Sequence, residues 1–393
     1  MAVTADVPGS ATRVAAEQVE DPLRHRPFAL LARGAEPFVG QVFGRACTRG
    51  LPDRRSMHSF VGVPMKLTAG EAGGRGRADV AVSIRTYDEG CLEGMTALYN
   101  AQTAFEGHIA PLDPERFIRL VQKKSYFDPE GLLVALEGGR VVGWVHACVA
   151  PGSEAWQDPR NKVPRIRMLI YPRERLKVGS CLVAEATACL RRSGQTALFA
   201  MHAQHGYPFY RGLWLGGEPM CPATMPHLQL AFEAAGYKNT QESVFMVARM
   251  EAAPQELTPQ GKVELTESSA PWAHEPMRES WIGFEPMSTT AYVAGESAGS
   301  VGWAILPHVA DRLGAPCVSI WSLGVREQHR RKGIAAFLVS RALARSYAEG
   351  ARFASVATQL WNAPAHATYA KLGFVPYCVL VGRTLAPEAK QAG

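Results

Sequence analysis

The chain has 393 residues, with 42 Lys+Arg against 36 Asp+Glu and a formal net charge of +6. Hydrophobic residues make up 47% and charged residues 20%, a globular composition that excludes wholesale disorder, which needs low hydrophobicity and high net charge. No Gly-X-Y period, sustained heptad or apolar window of ~20 residues appears, so collagen-like, coiled-coil and helical membrane-spanning classes are set aside.

Residues 1–79 are rich in Arg, Ala, Gly and Pro and weakly periodic. They read as a poorly packed N-terminal extension, without the basic start and apolar core of a secretory signal. Folded patterning begins near Val80. Val80–Tyr87 reads as a strand, and Asp88 as the N-cap of a helix to about Ala104. Pro114–Lys123 reads as a short helix. Gly131–Leu136 and Arg140–Val149 are β-rich runs joined by Glu137-Gly138-Gly139, a hairpin signal. Arg165–Tyr171 is a strand, Val178–Arg192 an amphipathic helix and Thr196–Met201 a strand. Leu228–Ala235 is helical, and Ser243–Met250 is a strand.

The same order then recurs. Ala291–Gly295 and Ser300–Leu306 form a second hairpin. Cys317–Val325 is a strand, Ile334–Ala348 a helix, Phe353–Thr358 a strand, Ala363–Leu372 a helix and Tyr377–Leu385 a strand. Val142-Gly143-Trp144 matches Val301-Gly302-Trp303, Ala235-Gly236-Tyr237 matches Leu372-Gly373-Phe374, and Gly179 matches Gly333, each opening the longest amphipathic helix of its half. The separation of the pairs shortens along the chain, so the first copy carries insertions, the largest around 205–227. Two copies with divergent loops are a tandem duplication rather than a solenoid. The copies span 80–252 and 260–387, with Pro254–Pro259 as linker.

Eight cysteines form no CxxC pair and no zinc-type cluster with histidine, so they read as small buried thiols of a reducing cytoplasm, and no metal site is expected. The strongest chemical signal is Leu323-Gly324-Val325-Arg326-Glu327-Gln328-His329-Arg330-Arg331-Lys332-Gly333-Ile334-Ala335. It follows a strand and opens a helix. Gly333 and Ala335 let backbone approach a ligand closely. The first-turn amides of a helix lack intrahelical partners and, with the macrodipole, suit a pyrophosphate. Arg330, Arg331 and Lys332 add three successive cations. The pattern is neither a Walker A loop nor a GxGxxG turn.

This stretch resembles the cofactor loop of the GCN5-related N-acetyltransferases (GNAT), and Asn362–Phe374 resembles a later motif of that family. The resemblance implies an α/β fold of two tandem GNAT-like domains, each a mixed, mostly antiparallel sheet splayed at its fourth and fifth strands. It implies that the backbone of Leu323, Gly324 and Val325 would pair with a pantetheine arm. Arg330, Arg331, Lys332, Gly333, Ile334 and Ala335 would hold the pyrophosphate of acetyl-CoA, and Asn362 would contact the cofactor. Tyr369 would be the general acid for the departing thiolate. A phenol of pKa ~10 stays protonated at neutral pH. No residue reads as the general base.

The first copy departs from the pattern. Around Gly179 the expected Arg/Gln and Gly/Ala are Leu176 and Cys181, and Phe232 stands at the position of Tyr369. Phenylalanine donates no proton, so this copy is expected to lack that route, leaving cofactor binding, shaping of the acceptor site or structural support open to it. The aromatic stretch Tyr207–Gly217 reads either as an acceptor wall or as a loop packing its own rings. The expectation is a cytoplasmic N-acetyltransferase, monomer or homodimer, acting on a small-molecule primary amine. No nucleic-acid or membrane partner is expected, since the charge of the folded part is nearly balanced. Longer-acyl transfer, decarboxylation and a silent acyl-CoA sensor are the alternatives.

Overall fold

The computed structural model describes residues 82–151, 162–192, 194, 197–203, 209–218, 220–269 and 275–387. The N-terminal extension read from the sequence lies outside them. The elements follow the predicted order: β1 (Val82–Thr86), α1 (Leu92–Thr103), α2 (Pro114–Phe117), β2 (Leu132–Glu137), β3 (Arg140–Pro151), β4 (Lys162–Ile170), α3 (Leu176–Arg192), β5 (Leu198–Ala200), β6 (Cys221–Pro222), α4 (Pro226–Ala234) and β7 (Lys238–Arg249). The second copy contributes β8 (Glu264–Ser269), α5 (Glu275–Ser280), β9 (Met287–Val293), β10 (Glu296–Leu306), α6 (Ala310–Leu313), β11 (Cys317–Val325), α7 (Ile334–Ala348), β12 (Phe353–Gln359), α8 (Ala363–Lys371) and β13 (Val375–Leu385).

All the strands join one mixed sheet in the order β1-β2-β3-β4-β5-β13-β7-β12-β11-β10-β9-β8, with β6 beside β13. The order reveals an exchange that the chain order does not. The last strand of the second copy, β13, pairs antiparallel with β5 of the first. The last strand of the first copy, β7, pairs antiparallel with β12 of the second, from Phe353↔Arg249 to Gln359↔Ser243. β7 and β13 pair with each other at the centre of the sheet. Each half's sheet is thus completed by the other half's strand.

The exchange reaches the core. Successive side chains of a strand alternate between faces. Val244, Met246 and Ala248 of β7, with Met250 just after it, share one apolar cluster with Ile334, Leu338, Val339 and Leu343 of α7 and with Val318 and Ile320 of β11. Burying a side chain of this size contributes about 1.5–3 kcal/mol. The first copy therefore supplies one layer of the second copy's core.

The insertion of the first copy is also shared. Phe209, Tyr210, Leu213 and Trp214 are wholly buried, and Trp214 donates Nε1–H to Met220 O at 3.1 Å. On the second copy's sheet, a Cβ added to Gly216 would lie 3.4 Å from Ser319 and Ser355 Oγ. A Cβ on Gly212 would strike the Phe284 ring at 2.3 Å. Arg312 donates to Thr103 O at 2.6 Å and Lys124 to Glu279 O at 3.0 Å, adding bonds between the copies.

An exchanged pair of strands should not unfold piecemeal. Differential scanning calorimetry of 78–393 is expected to give one cooperative transition, and residues 254–393 expressed alone should not fold, because β12 would lose its β7 partner. Two separable transitions, or a folded second copy in isolation, would contradict the exchange.

Candidate active site

The site is set by the place where two parallel strands part. β11 and β12 pair only from Cys317↔Phe353 to Ile320↔Val356. Beyond Ile320, β11 stays bonded to β10 as far as Gly299↔Val325, while no ladder joins it to β12. A wedge therefore opens beside Leu323, Gly324 and Val325. A register shift between Ser300 and Gly302 leaves β11 with a bulge there, and Ser322 takes a φ of 50°. Bulges re-aim backbone groups at strand ends, and a positive φ outside glycine marks stored strain at a constrained position. Ser322 did not stand out in the sequence because its bulge depends on the register with β10.

The loop from Arg326 to Gly333 closes the wedge. A single 3₁₀ turn, Glu327–His329, carries His329 inward, and among the described residues neither ring nitrogen has a partner. Arg330 turns back, donating Nε–H to Val325 O at 3.2 Å. Arg331 has φ 63° and Gly333 φ 79°, so the chain reverses hand twice before the helix. Gly333 is the N-cap of α7, and the first helical bond runs from Phe337 N–H to Gly333 O at 3.0 Å. The amides of Ile334 and Ala335 precede that bond and belong to the unpaired first turn. Arg331 is exposed and Lys332 half-buried, leaving two cations beside those amides. The structure thus brings together Leu323, Gly324, Val325 and Arg330–Ala335.

Asn362 stands at the mouth of the wedge with its side chain engaged. It accepts from Ala365 N–H at 3.3 Å as the N-cap of α8 and donates to Thr358 Oγ1 at 3.2 Å. It positions α8, a local role that the N-cap preference of Asn accounts for. On α8, Tyr369 is 4% exposed and packs on Phe374 with ring centroids 5.6 Å apart. Its hydroxyl has no hydrogen-bond partner among the described residues. Burial pushes its pKa up to about 12.

The first copy repeats this architecture and fills it. β4 and β5 pair only at Arg165↔Phe199 and Ile166↔Ala200, so they also part. Five residues, Tyr171–Arg175, join β4 to α3, where eight join β11 to α7. Helix α3 begins at Leu176, so Gly179 lies inside it. The sequence reading that Gly179 opens this helix as Gly333 opens α7 is corrected accordingly. The reason is steric. Tyr171 is wholly buried, donates to His227 O, and lies so close that a Cβ on Gly179 would stand 2.3 Å from its ring. Of the nearby cations, Arg175 is held by Glu137 at 2.6 and 3.1 Å, and Arg173 lies over the Phe105 ring at 4.9 Å. Phe232 and Tyr237 pack at 5.7 Å, the counterpart of Tyr369 and Phe374. Tyr210 of the insertion is bonded to His146 Nδ1 at 2.8 Å inside the core.

On the opposite face of the second copy's sheet, Trp321 stacks on Trp281 at 4.7 Å, with Arg211 of the insertion over Trp281 at 3.5 Å. Among the described residues no group of three or more His, Cys, Asp or Glu could hold a metal ion, and no helix is long and apolar enough to cross a membrane.

A mixed sheet parted at two parallel strands, with an amide-lined cationic turn at the gap, has the geometry of an anion site at a helix N-terminus. The profile described as "Acetyltransferase (GNAT) family" matches residues 257–374. A search of curated proteins gave no match. A GCN5-related N-acetyltransferase from Sphaerobacter thermophilus superposes with a TM-score of 0.53 at 13% identity, over 78% of this chain and 95% of that one. A tandem GNAT protein from the clavulanic acid biosynthesis pathway superposes with a TM-score of 0.52 at 16% identity, over 79% of this chain and all of the other. A glucosamine N-acetyltransferase region in a fungal multi-domain β-N-acetylglucosaminidase gives a TM-score of 0.55 at 14% identity, over 79% of this chain and 38% of that one. Residues 257–374 thus match the GNAT acetyltransferase family, and the described chain has the fold of tandem GNAT proteins.

Gly179→Ala should strain the first copy, since its Cβ meets the Tyr171 ring. A loss of about 1–3 kcal/mol is expected for such overpacking, read as a drop in Tm with no direct effect on the second copy's loop. An unchanged Tm would show that Tyr171 does not plug the gap.

Proposed function

We propose that the chain transfers an acetyl group from acetyl-CoA to a primary amine of a small molecule. In this reading residues 260–387 carry the chemistry and 80–252 are a degenerate copy. One observation carries it. Among the described residues, only the second copy combines an open gap, a left-handed turn presenting free amides, and a tyrosine with an unengaged hydroxyl.

The residues fit the cofactor. Leu323–Val325 offer an unpaired strand side, which suits the amides of a pantetheine arm. The amides from Gly333 to Ala335, with Arg331 and Lys332, suit a pyrophosphate at a helix N-terminus. Acetyl-CoA supplies an acyl group already activated as a thioester. Tyr369 holds a proton at its oxygen over the working pH range, because burial raises its pKa to about 12, and it can donate to a thiolate whose conjugate acid is near ~8.5. The acceptor must lose a proton too, since an alkylamine of pKa ~10.4 is only about one part in a thousand neutral at pH 7.

The acceptor approaches from the face carrying Trp281 and Trp321. The first copy's insertion covers part of that face, so it serves as an acceptor wall and packs its own rings at once. The fungal relative's glucosamine N-acetyltransferase region, although only 14% identical, is in keeping with a small amine acceptor. The described cysteines are all free, in keeping with a reducing compartment.

Gly333→Glu should weaken acetyl-CoA binding by roughly a hundredfold or more, from left-handed strain and a carboxylate at an anion site. Arg173→Glu in the first copy should leave binding within about twofold, since exposed charges at a closed gap contribute little. Isothermal titration calorimetry reads both, and the reverse pattern would exchange the roles of the two copies.

Tyr369→Phe should lower kcat about 10²- to 10⁴-fold, the usual range for a lost acid, while KM for acetyl-CoA changes little. The alkaline limb set by this tyrosine is shifted upward. It is protonated below pH 10, and its loss is confined to pH approaching 12. No fall in kcat from this group is therefore expected between pH 7 and 10. A thiol-release assay across that range with an amine panel is the measurement, and an equal rate for Tyr369→Phe would remove Tyr369 from the mechanism.

A further inference from the structure

The segment that joins the copies is bound along the helix it precedes. Leu257 donates its N–H to Ser340 Oγ at 2.9 Å, and the buried Ser340 donates to Phe337 O at 2.9 Å. Glu256 pairs with Arg341 at 2.7 Å, and Arg341 also reaches Glu267 of β8 at 3.0 Å. Three residues further on, Gln260 donates its N–H to Lys332 O at 2.8 Å. Pro259 lies beside Gly333, where an added Cβ would meet Pro259 Cα at 3.5 Å. The linker thus runs antiparallel to α7, from its second turn back to the loop before it.

The last of these bonds falls on one particular peptide. Lys332 lies between Arg331 and Gly333, whose φ values are 63° and 79°. The Lys332 carbonyl and the Gly333 N–H belong to the same planar trans unit, so they point in opposite directions. A donor that holds the carbonyl toward the linker therefore holds the Gly333 N–H away from it, toward the open side of the loop. Without that donor the peptide could rotate, and the left-handed conformation of Arg331, costly outside glycine, would favour release.

We propose that Leu257–Gln260 is a positioning strap for the cofactor loop. Its Gln260 N–H fixes the 332–333 peptide and so aims Gly333 N–H at the pyrophosphate, while the Ser340 and Arg341 contacts anchor its far end. The proposal rests on the reading that this loop holds the acetyl-CoA pyrophosphate.

Replacement of the donor separates it from its side chain. Gln260→Pro removes the N–H, whereas Gln260→Ala keeps it. With the full chain, Gln260→Pro should weaken acetyl-CoA binding by roughly five- to tenfold, the span of one hydrogen bond, and Gln260→Ala should stay within about twofold. S-acetylpantetheine, which lacks the pyrophosphate, should bind wild type and both variants alike. Wild-type affinity for acetyl-CoA in a folded Gln260→Pro protein overturns the strap. An equal loss for both ligands also overturns it, since that marks general loosening.

Gly333→Glu is run alongside. If it too leaves acetyl-CoA binding intact, the cofactor assignment fails; if it alone weakens binding, only the strap fails. Should Gln260→Pro not fold, Ser340→Ala combined with Arg341→Met releases the far end. A selective loss of about threefold for acetyl-CoA is then expected, and no selective loss overturns the proposal.

Discussion

The molecule depends on the exchange of β7 and β13 between its two halves. Without it, the first half's sheet would end at β5, three residues long, and the second half's at β12. An unpaired strand edge exposes a row of backbone donors and acceptors, and the missing layer would open the apolar face beneath α7. The exchange answers both needs with the same two strands. It also makes the copies inseparable in energy: the even positions of β7 pack on α7, so the first copy's sequence is read out in the second copy's core.

On the proposed reading, this constraint explains how one copy can lack ligand chemistry and still be indispensable. Tyr171 packs against Gly179 of α3, and Arg175 is bound to Glu137, so side chains near the start of α3 in the first copy are engaged in packing and ion pairing. What remains is a strand for the partner's sheet and an insertion that lies on the partner's open face. A standalone domain would have to cover that face with helices of its own. Here α5 and the first copy's insertion share the task around Trp281 and Trp321.

Much of this was legible in the sequence, and the limits follow from physics. Cys317–Val325 and Ile334–Ala348 stand at the bounds their patterns predict, because strand alternation, helical period and the capping glycine are all local. Strand exchange left no local trace, since alternation records which face a side chain takes and not which strand lies beside it. β8, Glu-Leu-Thr-Glu-Ser-Ser, was not visible because a mostly exposed edge strand needs few apolar residues. Asp88 looked like an N-cap, yet it pairs with Arg85 and makes no cap bond. The match of Gly179 to Gly333 was read from an apolar pattern common to both helices. The hand of the turn, which distinguishes them, depends on Tyr171 and on loop length. The motif around Asn362 was recognised, but its local duty as a cap competes with any contact to a ligand.

The two ring pairs show where chemistry and packing part company. Tyr369–Phe374 and Phe232–Tyr237 lie at nearly the same separation, 5.6 and 5.7 Å, so the aromatic unit that seats the last helix on the sheet is kept in both copies. The hydroxyl has changed position within it. In the first copy it belongs to Tyr237 and is bonded to Thr187 at 3.1 Å, as a buried polar group ordinarily is. In the second it belongs to Tyr369 and has no partner among the described residues. Packing alone gives no reason to keep that oxygen, since Phe232 fills the corresponding place without it. The unengaged oxygen is intelligible as a group held ready for a ligand, at a gap that no side chain of the described residues fills in the way Tyr171 packs the first copy.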